Sequence, residues 1–254
     1  MNTLHTPIQH AAQFRFYEEL NDFLPVELRK KSFPVTFTGN PAIKDTIEAI
    51  GVPHTEIDLI LVNSKSVTFD YQLKGGEHVS VYPVIESLDI TPLQHLRPKP
   101  LRNTKFIADV NLGGLARKLR LCGFDTLYEN NYSDEEIIRL SRDEKRIILT
   151  RDRGILKHNT VTHGYWVRKH TPQHQLQEII GYFQLHSSIA PFTRCSSCNG
   201  LILLADKAAI LDQLPEKTAN NFDSFKKCRD CGKIYWQGSH FIKIRKMIND
   251  LRLI

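Results

Sequence analysis

Four of the chain's five cysteines form two C-x-x-C pairs. Cys195 and Cys198 make the first pair, Cys228 and Cys231 make the second, and 29 residues separate the two pairs. Two such pairs are the usual way to place four thiolates tetrahedrally around Zn²⁺. Because four thiolates leave no open coordination position, we predict a structural zinc ribbon rather than a catalytic zinc. A redox role for one pair is the alternative, and Cys122, alone on an apolar segment, is predicted to lie in a core.

Three aspartates form a second candidate site. Asp109 and Asp152 each follow an apolar run typical of a buried strand, and Asp134 opens a predicted helix between them. Ligands of open α/β sheets bind beyond the carboxyl ends of the strands. Three carboxylates there suit Mg²⁺ or Mn²⁺, which can activate a water and neutralise charge on a phosphodiester. The structural alternatives are a helix cap for Asp109, a place in the Ser133–Glu136 capping box for Asp134 and a turn for Asp152.

Positive charge is concentrated in the second part of the chain. Residues 1–100 hold 9 Lys and Arg against 12 Asp and Glu, whereas residues 101–254 hold 25 against 16. Lysine and arginine displace counterions from phosphates, and aromatic rings stack on unpaired bases, so we predict RNA binding here. A solvated basic surface is the alternative. The candidate RNA-binding residues are Arg117, Lys118, Arg120, Arg151, Arg153, Lys226, Lys227, Arg229, Trp236 and His240.

The composition is that of a globular protein, with 41% hydrophobic and 24% charged residues in 254. No apolar run approaches the roughly 18 residues of a membrane span, and the first residues hold no signal-peptide core. The odd number of cysteines and the two C-x-x-C pairs favour a metal site in a reduced compartment over disulfides. We therefore predict a cytoplasmic protein that does not bind membranes. We predict an N-terminal domain over 1–87, a proline-rich linker over 88–104, a nuclease-like domain over 105–190 and the zinc ribbon with a basic tail over 191–254.

The pattern of elements predicts an α/β protein. Residues 14–86 are predicted to have the order β-β-α-β-β, with strands at 14–17, 33–37, 57–62 and 78–83 and a further short strand segment at 67–69. The helix of this part is expected to begin at Asn40-Pro41, with Asn40 as its cap, and to stop at Gly51. Residues 105–185 alternate strand and helix, which indicates a parallel sheet covered by helices. Short strands are expected after each cysteine pair.

Several short motifs within these elements resemble one known nuclease family. They are Gly114-Leu115-Ala116-Arg117-Lys118-Leu119-Arg120, Gly123-Phe124-Asp125, Ile148-Leu149-Thr150-Arg151-Asp152-Arg153, Gln175-Leu176, Arg194-Cys195-Ser196-Ser197-Cys198-Asn199 and Trp236-Gln237-Gly238-Ser239-His240. Together with Asp109 and Asp134, they look like the Mut-seven C-terminal RNase family over roughly 105–250. This family has a PIN-like nuclease fold with a zinc ribbon.

The resemblance implies that Asp109, Asp134 and Asp152 bind a divalent metal, Mg²⁺ or Mn²⁺, for RNA hydrolysis. The substrate would be single-stranded or structured RNA, with tRNA and rRNA as candidates. The wider PIN pattern has a further acid on a helix between Asp109 and Asp134. This sequence has no clear acid on a predicted helix in that interval, because Glu129 lies in a predicted loop. Glu135 or Asp125 would therefore complete the metal site.

The N-terminal part resembles the ubiquitin-like β-grasp domain that accompanies this family. The resemblance rests on its β-β-α-β-β order and on Gly75-Gly76 before the last strand. Sulfur carriers of the same fold end in a free Gly-Gly, but this chain continues, so we expect a binding or positioning module for a protein partner. Three functions follow: a metal-dependent ribonuclease, a non-catalytic RNA-binding protein, and a β-grasp adaptor for a protein.

Overall fold

A computed structural model describes residues 9–83, 96 and 104–251 of the chain. The predicted linker, 88–104, lies outside these residues except at positions 96 and 104. The chain divides into two compact units. The first contains Met1–Arg102 and Asp152–Tyr165, and the second contains Asn103–Arg151 and Trp166–Ile254. Within the described ranges, no helix combines the length and apolar character needed to cross a bilayer.

The first unit contains a five-stranded sheet with one helix. Its elements are β1 (Gln9–Phe16), β2 (Phe33–Thr38), α1 (Ile43–Ile50), β3 (Leu59–Val62), β4 (Lys65–Ser66) and β5 (His78–Tyr82). The strand order is β2-β1-β5-β3-β4, in which β1 and β5 run parallel and the other neighbours run antiparallel. Alternate residues of β1 are buried, as expected for a strand with one face on a core. The observed order is β-β-α-β-β-β, so the predicted β-β-α-β-β order is confirmed except for one additional strand, the two-residue β4.

Two local predictions in the first unit were wrong. Helix α1 begins at Ile43, and its cap residue Ala42 makes no side-chain capping hydrogen bond, so Asn40 is not the cap. The reason is that Ala42 is extended and bridges Gln72, which delays the helix by two residues. The fourth strand lies at Lys65–Ser66, where it closes a tight turn with β3, rather than at 67–69.

The second unit begins with a parallel sheet between helices. Its elements are β6 (Lys105–Ala108), α2 (Gly113–Leu121), β7 (Asp125–Leu127), α3 (Asp134–Glu144), β8 (Ile147–Thr150) and α5 (Pro172–Tyr182). The short helix α4 (Arg153–Leu156) belongs to the first unit, and strand β9 (Gly164–Trp166) is divided, with only Trp166 assigned to the second unit. The strand order is β7-β6-β8-β9, and β6 runs parallel to both β7 and β8. All residues of β8 are buried, as is typical of parallel strands covered on both faces. The predicted strand–helix alternation is confirmed.

The cysteines lie in the last part of the second unit. Strands β10 (Ile202–Ala205), β11 (Phe225–Cys228) and β12 (Ile234–Trp236) form an antiparallel sheet in that order, with helix α6 (Glu216–Asn221) between β10 and β11. Helix α7 (Ser239–Leu251) follows β12 and contains most of the predicted basic tail. Strands therefore follow each cysteine pair, as the sequence predicted.

Candidate functional site

The four paired cysteines converge. The sulfur atoms of Cys195, Cys198, Cys228 and Cys231 all lie within 4.8 Å of one another. Two of the sulfur–sulfur distances are 3.6 Å (Cys195 to Cys231) and 3.4 Å (Cys198 to Cys228). A zinc ion with four bonds of about 2.3 Å requires tetrahedral edges of about 3.8 Å. The donor set and its spacing are therefore compatible with structural zinc.

The local environment lowers the pKa of the Cys195 thiol and so favours its thiolate form. Burial raises the pKa of this thiol, but hydrogen bonds from the Tyr235 hydroxyl and from the backbone of Cys198 and Ser197 lower it to about 6. The Tyr235 oxygen lies 3.0 Å from the sulfur. Gly200 lets the two cysteine pairs approach each other, because a Cβ there would lie 2.9 Å from the sulfur of Cys228.

Asp109 lies at the carboxyl end of β6, beside the end of β8. Its side chain is buried, with 6% of its surface exposed, and its Oδ2 accepts a 2.8 Å hydrogen bond from the Thr150 hydroxyl. Its backbone N–H donates to the carbonyl of Leu149. The side chain does not cap the helical turn that follows, so the capping alternative does not account for this residue. A buried carboxylate at this edge of a parallel sheet is where a ligand site is expected.

Asp134 and Glu135 lie exposed in the first turn of α3. Ser133 caps this helix and forms the predicted capping box with Glu136, with hydrogen bonds of 3.3 Å and 3.0 Å. The cap is therefore complete without Asp134. A negative charge in the first turn interacts favourably with the helix dipole. Asp134 can therefore have this structural role or bind a metal, and both interpretations remain open.

Asp152 is exposed and caps α4. Its Oδ1 accepts a 2.7 Å hydrogen bond from the backbone N–H of Gly154. The predicted turn role of Asp152 is therefore observed. Asp152 is also the first residue of the segment that folds with the first unit.

Several contacts hold this segment within the first unit. The ring of His54 lies between two acceptors, Glu48 Oε1 at 2.6 Å from Nδ1 and the carbonyl of Val161 at 2.7 Å from Nε2. The Lys157 ammonium donates to the Glu48 carbonyl at 2.8 Å. The guanidinium of Arg153, which the sequence analysis assigned to RNA, lies 5.0 Å from the centre of the Phe23 ring.

Asp125 has a structural role, which corrects its prediction as an auxiliary metal ligand. In the register of the sheet it lies opposite Lys105, at the amino end of the strands, whereas Asp109 follows their carboxyl ends. Its carboxylate is bound by Arg146 at 2.7 Å, Asn199 at 2.8 Å and Arg194 at 3.2 Å. Burial raises the pKa of Asp125, but the hydrogen bonds and positive charge outweigh burial and hold the pKa below its usual value.

The same junction uses Arg120, which corrects its prediction as an RNA-binding residue. This side chain is buried and donates to the carbonyls of Thr126 and Ser197, both at 2.8 Å. Burial lowers the pKa of its guanidinium. Arg120 thus joins the parallel sheet to the first cysteine pair. Gly123 is required nearby, because its φ is +96° and a Cβ would lie 2.1 Å from the Ala190 carbonyl oxygen.

The other predicted RNA-binding residues of the second unit lie at or near its surface. Arg117, Arg151, Arg229, Trp236 and His240 are exposed, and Lys118, Lys226 and Lys227 are partly buried. Some of them already have polar neighbours: Lys118 contacts Gln173 and Met247, and Arg151 lies 3.1 Å from His170. Contact of these residues with RNA remains a prediction.

A comparison with known protein families shows which family this chain belongs to. Residues 104–248 match the Mut7-C RNAse domain, and residues 9–89 match the Mut7-C ubiquitin domain. The chain belongs to the Mut7-C RNAse domain family. Comparisons with curated proteins and with solved structures gave no significant match. The predicted resemblance is confirmed for both parts, and the Mut7-C RNAse region contains the parallel sheet and the four-cysteine cluster.

The sequence analysis missed the partners of two acids. Thr150 was quoted only as part of a motif, yet its hydroxyl binds Asp109. Arg146 was not among the predicted site residues, yet it binds Asp125 and the carbonyl of Phe106. A basic residue immediately before an apolar strand was the available signal for Arg146, but its partner, 21 residues away, could not be inferred from spacing.

Proposed function

We propose that this Mut7-C RNAse domain protein is a divalent-metal-dependent ribonuclease. Its metal site is formed by Asp109, Asp134 and Asp152, with Mg²⁺ or Mn²⁺ as the ion. The observation that carries the proposal is the buried carboxylate of Asp109 at the carboxyl edge of the sheet, in a chain whose family is an RNAse domain family. A divalent ion at this position supplies an activated water and charge neutralisation for phosphodiester hydrolysis.

The neighbours of Asp109 support this assignment. The Thr150 hydroxyl binds one carboxylate oxygen and fixes its orientation, as outer-shell partners of metal ligands do. Asp152 follows strand β8 by two residues, and Asp134 is an exposed acid in the first turn of α3. Among the described residues, the four cysteines are the group of potential ligands that lies close together, so the contribution of these two acids has to be tested by substitution. Hard oxygen ligands of this kind match the preference of Mg²⁺ and Mn²⁺.

Zinc is proposed for the four cysteines. The ion would be held by Cys195, Cys198, Cys228 and Cys231, and its role would be structural because all four positions are thiolates. The region around it is then a zinc ribbon that contacts RNA through its basic and aromatic residues. A cytoplasmic location belongs to the same proposal, since a reducing compartment keeps the thiols available for zinc.

The test is RNA cleavage by the full-length, zinc-containing protein. Labelled single-stranded and hairpin RNAs are incubated with Mg²⁺, with Mn²⁺ or without added divalent ion. We expect metal-dependent cleavage that falls in Asp109→Asn and Asp152→Asn by more than the roughly 10–100-fold typical of a lost outer-shell partner. The matched control is Asp143→Asn, because Asp143 is an exposed acid on α3 that pairs with Arg142.

A second candidate function is RNA binding without catalysis. One observation favours it, namely that Asp152 caps α4 and Asp134 lies in the first turn of α3, where its negative charge favours the helix dipole. In that case wild type and Asp109→Asn bind RNA equally and neither cleaves it with any divalent ion. Cleavage that is equal in Asp109→Asn, Asp152→Asn and Asp143→Asn would also overturn the proposed site.

A further inference from the structure

A cavity in the second unit lies between the cysteine-bearing sheet and helices α2 and α7. Its volume is about 640 Å³, within the range of small-ligand sites. Its walls come from α2, from the chain before Cys195, from β11 and β12, and from the start of α7. The lining residues that matter for recognition are Arg117, Lys226, Lys233, Trp236, His240 and Phe241.

The electrostatic character of the cavity is cationic. Arg117, Lys226 and Lys233 line it, His240 adds an imidazole, and none of its lining residues is acidic. Lys233 has part of its charge engaged, since it donates to the Ser197 hydroxyl at 2.9 Å and lies 5.8 Å from the centre of the Tyr235 ring. Arg117 and Lys226 are left as the cations best placed to bind a phosphate. An anionic ligand is therefore the complementary occupant.

The aromatic residues of the cavity divide into two groups. Tyr235 belongs to the ribbon core, because its hydroxyl contacts the Cys195 sulfur, and Phe192 and Phe241 stack on each other at 4.3 Å. Trp236 differs, because 36% of its surface is exposed at the cavity. Gly238 lets the indole lie close to the backbone, since a Cβ there would be 2.9 Å from the indole nitrogen. An exposed ring held in this way is a stacking surface for a planar group.

We propose that this cavity binds one nucleotide of a single-stranded RNA segment, with the base stacked on Trp236 and a phosphate bound by Lys226 and Arg117. The inference rests on the proposed ribonuclease function, because it identifies where the substrate strand is held. A concave site favours an unpaired base, since bases within a duplex are stacked and out of reach of a side-chain ring. A cation beside an aromatic ring is the combination that single-strand binding sites use.

The test compares adjacent residues of one strand. Lys226 lines the cavity, whereas Lys227, the next residue of β11, does not, and its ammonium lies 3.3 Å from Gln213. Lys226→Ala and Lys227→Ala therefore change the net charge equally. Both are made in full-length, zinc-containing Asp109→Asn protein so that the probe is not cut. Binding of a fluorescein-labelled uridine 12-mer is measured by anisotropy over a range of salt concentrations.

We expect Lys226→Ala to weaken binding and to reduce the slope of log affinity against log salt by about 0.7, the value for one phosphate contact on a single strand. Lys227→Ala, which lies outside the cavity, should reduce the slope less than Lys226→Ala does. Trp236→Leu should weaken binding at least about fivefold, and Trp236→Phe, which keeps a stacking ring, should retain most of the affinity. Circular dichroism and zinc content establish that each variant is folded.

Two results would overturn the cavity proposal. One is equal weakening by Lys226→Ala and Lys227→Ala with no effect of Trp236→Leu, which would indicate diffuse surface charge. The other is the absence of any binding of the 12-mer by folded protein. The ribonuclease proposal is tested separately: cleavage that depends on Asp109 while Trp236→Leu binds normally would sustain catalysis and reject the cavity. Binding that depends on the cavity residues, without metal-dependent cleavage, would support the cavity proposal and reject the ribonuclease proposal.

Discussion

Replacing Asp125 by asparagine tests the junction between the parallel sheet and the cysteine region. The carboxylate is bound by Arg146, whose side chain is only 6% exposed, and by Arg194, which is 24% exposed. Asparagine has nearly the same shape but no charge, so the change leaves the buried Arg146 with the more exposed Glu144 as its carboxylate partner, which places the cost at the low end of the range for a buried pair. Removing one partner of a buried ion pair costs about 3–5 kcal/mol. Because Asp125 is 17% exposed, we expect about 3 kcal/mol.

The assay is thermal unfolding of the full chain at pH 7, followed by circular dichroism. About 3 kcal/mol corresponds to a fall in Tm of roughly 6–12 °C for a unit of this size. Asp143→Asn is the matched control, since its pairs with arginines are solvent-exposed and worth less than about 1 kcal/mol. An Asp125→Asn protein that melts with the wild type would refute the reasoning.

The pH dependence supplies a second check. Because the pKa of Asp125 in the folded state is held below its ordinary value of 3.8, the stabilisation is complete above that value and is lost as pH falls through the folded pKa. The difference in Tm between wild type and Asp125→Asn should therefore be constant from pH 7 to pH 5 and should narrow below about pH 4. A difference that grows on acidification would contradict the assignment.

Three further outcomes are expected. Gly123→Ala should destabilise the second unit by several kcal/mol, because it places a Cβ against a backbone carbonyl at positive φ, whereas Gly181→Ala, with open space around it, should be neutral or stabilising in the same unfolding assay. His54→Ala should increase hydrogen exchange in Asp152–Tyr165, which it binds, and the exposed His78→Ala should not. Metal analysis should find one zinc per chain, and a strong zinc chelator should unfold the cysteine region.

The parts of the fold that sequence predicts well are those fixed by local chemistry. The capping box at Ser133 and Glu136 depends on residues three positions apart, and it was confirmed. The cysteine pairs were likewise readable, because metal geometry dictates their spacing. The start of α1 was missed, since the pairing of Ala42 with Gln72, thirty positions on, overrode the local helix signal at Asn40.

The other features of the fold could not be predicted from the sequence, because they depend on contacts between distant segments of the chain. The apolar residues Ile155 and Leu156 are buried, but local sequence does not tell which core a residue joins. Here the segment Asp152–Tyr165 folds with the first unit, through contacts such as that between His54 and Val161. These contacts span about a hundred positions in the chain, and no local propensity encodes them.

The acids of the second unit show why environment, rather than motif membership, decides their chemistry. Asp109 and Asp125 both belong to motifs quoted for the Mut7-C RNAse resemblance, and both carry a carboxylate beside β6. Two arginines already neutralise Asp125, so a divalent cation there would be repelled by their charge. Asp109 accepts a hydrogen bond from the neutral hydroxyl of Thr150, which orients the carboxylate without neutralising its charge. A cation is therefore expected at the carboxyl edge of the sheet, and the amino edge serves to hold the cysteine region in place.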